Sequence, residues 1–205
     1  VDALIVQDAG AANLIKRSFP DMKINASTQL TANTAEDVLF LQKNGFDKVI
    51  LSRELTLEEI KNIRKITDVD IECFVHGALC VSFSGQCIMS SILGGRSGNR
   101  GCCAQPCRLP YELYENRDKV CDGYLMSPKD VETLEILPQL IEAGINSFKI
   151  EGRMKNPEYV AGVTSIYRKY IDLYFDDPEN YKVDRNDIKI LTQLFNRGGF
   201  TNGYF

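Results

Sequence analysis

Five short apolar runs, each ending in polar or charged residues, constrain this chain more than any other feature. They are Ala3–Val6 before Gln7-Asp8, Lys23–Ser27 before Thr28-Gln29, and Lys48–Leu51 before Ser52-Arg53-Glu54. Asp70–Val75 before His76-Gly77 and Ile145–Ile150 before Glu151-Gly152-Arg153 complete the set. The first four recur about every 20–25 residues with helix-like stretches between them, which is the βαβ rhythm of a parallel sheet. Continuous apolar runs suit strands buried on both faces. The polar ends of parallel strands share one face, where α/β proteins place their sites. An eight-fold barrel needs roughly 250 residues. With 205 residues and five strands, the expected fold class is α/β, a partial TIM-type (β/α) barrel made of the last five strands. A doubly wound open sheet fits the same pattern.

Helices are expected over 11–18, 35–45 and from Thr56 onward, where Thr56 and Glu59 have the spacing of a capping box. Residues 157–205 read as a long helix, a turn and a second helix. The apolar and tyrosine positions Val160, Val163, Ile166, Tyr167, Tyr170, Ile171 and Tyr174 form a stripe best read as core packing. Residues 1–155 are therefore taken as the partial barrel, interrupted by an insertion at 79–126, and 156–205 as a C-terminal helical segment. The chain opens at Val1 inside a strand and stops after a Gly-rich turn, so it reads as a piece of a longer protein. No apolar run reaches the ~18 residues of a membrane span. The net charge of −4 excludes a generally basic nucleic-acid coat but leaves room for a local basic patch.

The insertion carries six of the seven cysteines: Cys80, Cys87, Cys102, Cys103, Cys107 and Cys121. An odd cysteine count in a mid-sized acidic chain points to metal, cluster or redox chemistry in a reducing, cytoplasmic compartment rather than to a disulfide scaffold. Glycines and prolines around the cysteines permit the turns that bring thiolates together. Arg96, Arg100 and Arg108 stand among them, and no acidic residue occurs from Cys80 to Pro110. Positive surroundings favour thiolates and an anionic cluster. Of the gaps between these cysteines, only Cys103 to Cys107 suits a zinc knuckle. Irregular spacing with all-sulfur ligation favours an iron–sulfur cluster, with zinc as the alternative. Cys73, inside a strand, reads as a buried inert thiol.

At Glu72–Cys80, Ser84–Ser90, Gly95–Gly101, Cys103–Tyr111, Leu125–Asp130 and Lys149–Arg153 the chain resembles the collagenase-like peptidases of family U32, over essentially its whole length. Arg96–Gly101 and Phe195–Thr201 resemble most the branch required for cytidine hydroxylation in large-subunit ribosomal RNA. The resemblance implies a TIM-type barrel, a further C-terminal domain after residues 156–205 and a [4Fe–4S] cluster on four cysteines. It also implies oxygen-independent RNA hydroxylation with prephenate as a hydroxyl source, or peptidase activity. Cys80, Cys87 and Cys103 match the ligand motif. Relatives often carry a cysteine just after the Lys-Asp pair, where Glu132 stands here. Cys107 is then the simplest fourth ligand, with Cys121 as the alternative.

Two functions are thus expected to compete. A peptidase would pair His76, the one histidine, with a cysteine, or bind a catalytic zinc with an open position; no His-Glu-x-x-His or Gly-x-Ser-x-Gly motif occurs. A hydroxylation factor would use Arg53, Lys149 and Arg153 at strand ends to clamp a dicarboxylate such as prephenate. Glu54, Glu151 and Gln29 would then orient it or move protons. RNA contact would use Arg96, Arg100, Arg108 and Lys129. The uncovered edge of the first strand is expected to favour a homodimer.

Overall fold

The computed structural model describes residues 1–205. All five anticipated strands form: β1 (Ala3–Val6), β2 (Lys23–Ala26), β3 (Lys48–Ile50), β4 (Asp70–Ala78) and, much later, β8 (Ser147–Ile150). They pair in parallel in chain order, β1 with β2, β2 with β3, β3 with β4 and β4 with β8, without a reversal of direction. The helices α1 (Ala9–Ser18), α2 (Ala35–Lys43) and α3 (Leu57–Arg64) alternate with the first four strands. The chain is thus a mixed α/β fold around a mostly parallel sheet. Local chemistry starts each helix where the sequence signals it. Asp8 caps α1, and Thr34 with Asp37 and Thr56 with Glu59 form reciprocal capping boxes on α2 and α3.

The helices bury one stripe each on one face of the sheet: Val38 and Leu41 from α2, Ile60 and Ile63 from α3. They meet Ile24, Ala26, Val49, Ile71, Cys73 and Val75 in a single core. The C-terminal segment closes the same core. Helix α6 (Pro157–Asp176) contributes Tyr159, Val163, Ile166, Tyr167 and Tyr170, and α7 (Arg185–Leu194) contributes Leu191. Burying such side chains contributes about 1.5–3 kcal/mol each.

The expectation of strands buried equally on both faces is not met. Along β4, buried Ile71, Cys73 and Val75 alternate with half-buried Glu72 and Phe74. Glu72 accepts from Lys149 Nζ at 2.9 Å and Ser147 Oγ at 3.0 Å, and Lys48 Nζ lies 3.5 Å away. Burial raises the Glu72 pKa, but these hydrogen bonds and charges outweigh it and hold the carboxyl below its usual range. This second face is therefore polar, with period-2 alternation in β4 that its apolar run concealed.

The insertion is more ordered than its sequence suggests. It contains α4 (Met89–Gly94) and an exposed hairpin of β5 (Tyr111–Glu115) and β6 (Asp118–Gly123). It returns through β7 (Asp130–Glu132), antiparallel to the end of β4, and then α5 (Leu137–Glu142). A last strand, β9 (Phe200–Thr201), lies parallel to β7. No helix is long and apolar enough to cross a membrane.

Candidate functional site

The carboxyl ends of β2, β3, β4 and β8 form a platform, and the insertion is fastened across it by named polar contacts. Ser84 is fully buried. Its N–H and hydroxyl donate to the two carboxylate oxygens of Glu54, at 2.9 and 3.0 Å. Arg53 donates to Ser84 Oγ through its backbone N–H and Nε, each at 3.2 Å. Thr31 Oγ1 donates to the Ser84 carbonyl at 2.9 Å. Gly85 follows with φ +75°, and a Cβ there would stand 2.5 Å from Thr31 Oγ1 and 2.8 Å from the Gln29 carbonyl, so this crossing requires glycine. Further along, Asn99 Nδ2 donates to the Gly85 carbonyl at 2.7 Å, and Arg153 Nη1 donates to the Gly101 carbonyl at 2.7 Å. Arg108 donates to the carbonyls of Leu79 and Pro128 and to Ser127 Oγ.

Within this fastened loop four thiols share one electrostatic neighbourhood. Half-buried Cys107 is raised above its usual pKa first by burial. Arg108 opposes that shift, while Cys80, Cys103 and Cys87 lie near enough to add to it. Cys103 Sγ accepts from the Gln105 N–H at 3.3 Å. Gln105 itself has φ +57°, which turns the chain between Cys103 and Cys107. All the thiols are free, and no three His, Cys, Asp or Glu groups stand close enough to hold a single metal ion. Cys102 is exposed, with Sγ 3.7 Å from the Arg100 carbonyl oxygen. Cys121 is exposed on β6 opposite Leu113 and is not among the thiols that act on Cys107. Cys73 is buried in the core, and burial pushes its thiol far above the usual range.

The other expected site residues divide by partner. Arg53 and Glu54 reach the platform, but their contacts with Ser84 spend Arg53 Nε and both Glu54 oxygens on holding the insertion. Glu151 Oε1 accepts from the Arg153 N–H at 2.9 Å, and its backbone N–H donates to the His76 carbonyl at 2.8 Å. Lys149 does not point to the strand ends as expected; its ion pair with Glu72 draws it onto the polar face of the sheet. Gln29 Oε1 is buried without a hydrogen-bond partner. Arg96 Nε donates to the Cys102 carbonyl at 3.0 Å, whereas Arg100 and Lys129 are exposed. Glu132, buried on β7, accepts from the Leu134 N–H and lies opposite His76.

His76 is buried, and burial lowers its pKa to about 4. Its Nδ1 is 3.4 Å from Tyr167 Oη and its Nε2 has no partner, so no thiol forms a Cys/His pair with it. Nucleophilic catalysis of that type needs base and nucleophile within hydrogen-bond reach.

Three groups around the insertion and the strand ends lie outside the sequence reading of the site. Asp130 is buried and accepts from Arg197 Nη1 at 2.9 Å, linking the Lys-Asp pair to the Asn-Arg-Gly-Gly turn. Lys155 Nζ lies over the face of Phe195, and burial together with the Arg197 charge lowers its pKa to about 8, against the pull of the Asp130 and Glu151 carboxylates. Buried Ser84 is the third. Ser84 and Asp130 lie within motifs visible in the sequence, but their roles require knowing which loop each motif meets.

The sequence model of Peptidase family U32 matches residues 1–205. Among curated proteins, the chain is 39% identical over 210 residues to tRNA hydroxylation protein P1 of Bacillus subtilis, covering 96% of this chain and 49% of that one. It is 45% identical over 179 residues to the 23S rRNA 5-hydroxycytidine C2501 synthase of Escherichia coli, covering 86% and 27%. It is 34% identical over 222 residues to a protein named collagenase from Porphyromonas gingivalis, covering 100% and 52%. The chain therefore spans about half, or less, of the length of these relatives.

Proposed function

The chain belongs to peptidase family U32, and from that premise we propose that it is part of an iron–sulfur-dependent factor for oxygen-independent hydroxylation of an RNA base. Relatives named for tRNA hydroxylation and for 5-hydroxycytidine synthesis in 23S rRNA support the RNA-modifying reading. The structural observation that carries it is the quartet Cys80, Cys87, Cys103 and Cys107 under Arg108, in a loop fastened over the strand ends.

The donor set suits a [4Fe–4S] cluster. It is all sulfur, it lies beside a guanidinium, and its thiols are not close enough together for a single ion, whereas a cluster spans more space. Cys107 is the proposed fourth ligand; Cys121 sits apart on the hairpin. When bound, the cluster would supply redox or Lewis-acid chemistry. The chain's own residues have three tasks. Arg108, tied to three acceptors, would keep a positive charge against the thiolates. Ser84, Glu54 and Arg53 would hold the loop in register with β3. Arg153, Lys155 and Arg197 would favour an anionic co-substrate such as prephenate, and exposed Arg100 and Lys129 would meet RNA phosphates.

The five parallel strands in chain order support the reading that the sheet is one part of a (β/α) barrel wall. The unpaired outer edge of β1 supports self-association of this chain in isolation. Free thiols suit a reducing cytoplasm.

The test is nucleoside mass spectrometry of ribosomal and transfer RNA from cells lacking the full-length protein, complemented with wild type or Cys103→Ser. Wild type restores a hydroxylated nucleoside and the variant does not. Restoration by both, or loss of a peptide-cleaving activity with RNA unchanged, overturns the proposal.

A further inference from the structure

Two buried residues, each with a polar atom that lacks a partner, line one cavity at the carboxyl ends of β3 and β4. Ser52 is 4% exposed and His76 is 1% exposed, and Ser52 Oγ and His76 Nε2 make no hydrogen bond. Such orphans are costly and rare, and two lining the same space call for a polar partner between them. The cavity is also lined by Arg53, Phe74, Leu79 and Val131, and its volume of about 20 Å³ has room for one oxygen-sized group.

The hydrogen-bond network assigns the imidazole tautomer. Tyr167 Oη donates to the Val75 carbonyl at 2.8 Å, so its oxygen is left to accept, and it does so from the Thr133 N–H at 3.1 Å. The contact from His76 Nδ1 at 3.4 Å is then an N–H donating to the same oxygen. Nε2 is left as a bare lone pair on a residue that lines the cavity. The backbone N–H of Ser52 is fixed on the Ala32 carbonyl at 3.0 Å, so the hydroxyl is the donor that residue has left for a ligand. The lowered His76 pKa is consistent with an imidazole that stays neutral near pH 7.

The occupant must donate to Nε2 and also pair with a serine hydroxyl. A carboxylate has nothing to donate. An ammonium would face the Arg53 cation across the same small space. A hydroxyl both donates and accepts. We propose that Ser52 and His76 form a recognition site for a hydroxyl group of a small ligand, with the O–H donating to His76 Nε2 and the oxygen accepting from Ser52. Ser52 and His76 are then binding residues, and neither is required by the thiol reading, so this site stands or falls independently of it.

His76 is the only histidine in the chain, so its ring nitrogens are unambiguous in the spectrum of the ¹⁵N-labelled full chain. Methanol, the smallest carbon-bearing hydroxyl, is the probe, and acetonitrile, which has no O–H, is the control. Methanol should move the Nε2 resonance upfield with a saturable midpoint, acetonitrile should leave it in place, and Ser52→Ala should weaken methanol binding about tenfold, the usual worth of one hydrogen bond. An Nε2 resonance indifferent to methanol means that the cavity holds water only and overturns the proposal. So does an equal response to acetonitrile, or an unchanged midpoint in a folded S52A protein. The two wild-type titrations decide the matter even if that variant does not fold.

Discussion

At the scale of single residues, environment reassigns what residue type suggests. His76 has the chemistry of a general base, and its position after a strand is where such a base belongs. Burial against Tyr159, Tyr167 and Phe200 makes it a neutral hydrogen-bonding group instead. This has a measurable pH signature. The folded-state pKa of about 4 lies below the unfolded value of about 6.5. Full stability is therefore present above pH 6.5 and is lost as the pH falls toward 4, because the unfolded chain takes up a proton that the folded chain refuses. Between pH 7 and pH 5 the loss is about 2 kcal/mol. Denaturant unfolding at the two pH values should show this loss in wild type, beyond that from carboxylates, and its disappearance in His76→Gln. Equal losses in both proteins would contradict the assignment. The sequence showed that His76 exists and follows a strand, but its burial depends on α6 and β9, more than eighty residues away.

At the scale of elements, what was legible followed from periodicity and end signals. The five parallel strands, the Thr56–Glu59 box and the tyrosine stripe of α6 are local patterns, and the structure contains each of them. The hairpin β5–β6 was not read, although Tyr111–Glu115 and Asp118–Gly123 flank a two-residue turn, because cysteine and charge dominate that stretch. Strands β7 and β9 are three and two residues long and owe their pairing to each other and to β4. Short strands of this kind carry too little pattern to detect. Insertion docking is itself testable at one glycine. In Gly85→Ala the new Cβ meets Thr31 Oγ1 in a left-handed backbone, which should cost about 2 kcal/mol locally. Limited proteolysis should then cut residues 79–126 faster than in wild type. Gly94→Ala, where nothing lies within 4 Å of the added methyl, should be cut like wild type. Equal cutting of both variants would mean that Gly85 does not hold the loop.

At the scale of the molecule, one apolar face and one polar face of the sheet divide the work. Helices cover the first in a core that runs from Val6 to Leu191. The insertion closes over the strand ends and carries six of the seven cysteines. Sequence spacing grouped the cysteines but could not choose among them. The proposed ligand set leaves out Cys121, on an exposed hairpin, and Cys73, buried in the core, and takes Cys107, which feels the charges of Arg108 and of the other three thiols. The account rests most heavily on that choice, and metal content after anaerobic reconstitution with iron and sulfide tests it directly. Wild type, Cys73→Ser and Cys121→Ser should each retain iron and sulfide in equal amounts with the charge-transfer absorbance of a [4Fe–4S] cluster. Cys80→Ser, Cys87→Ser, Cys103→Ser and Cys107→Ser should each lose most of it. Stoichiometric zinc in place of iron in wild type, or a cluster that survives Cys107→Ser and is lost in Cys121→Ser, would contradict it.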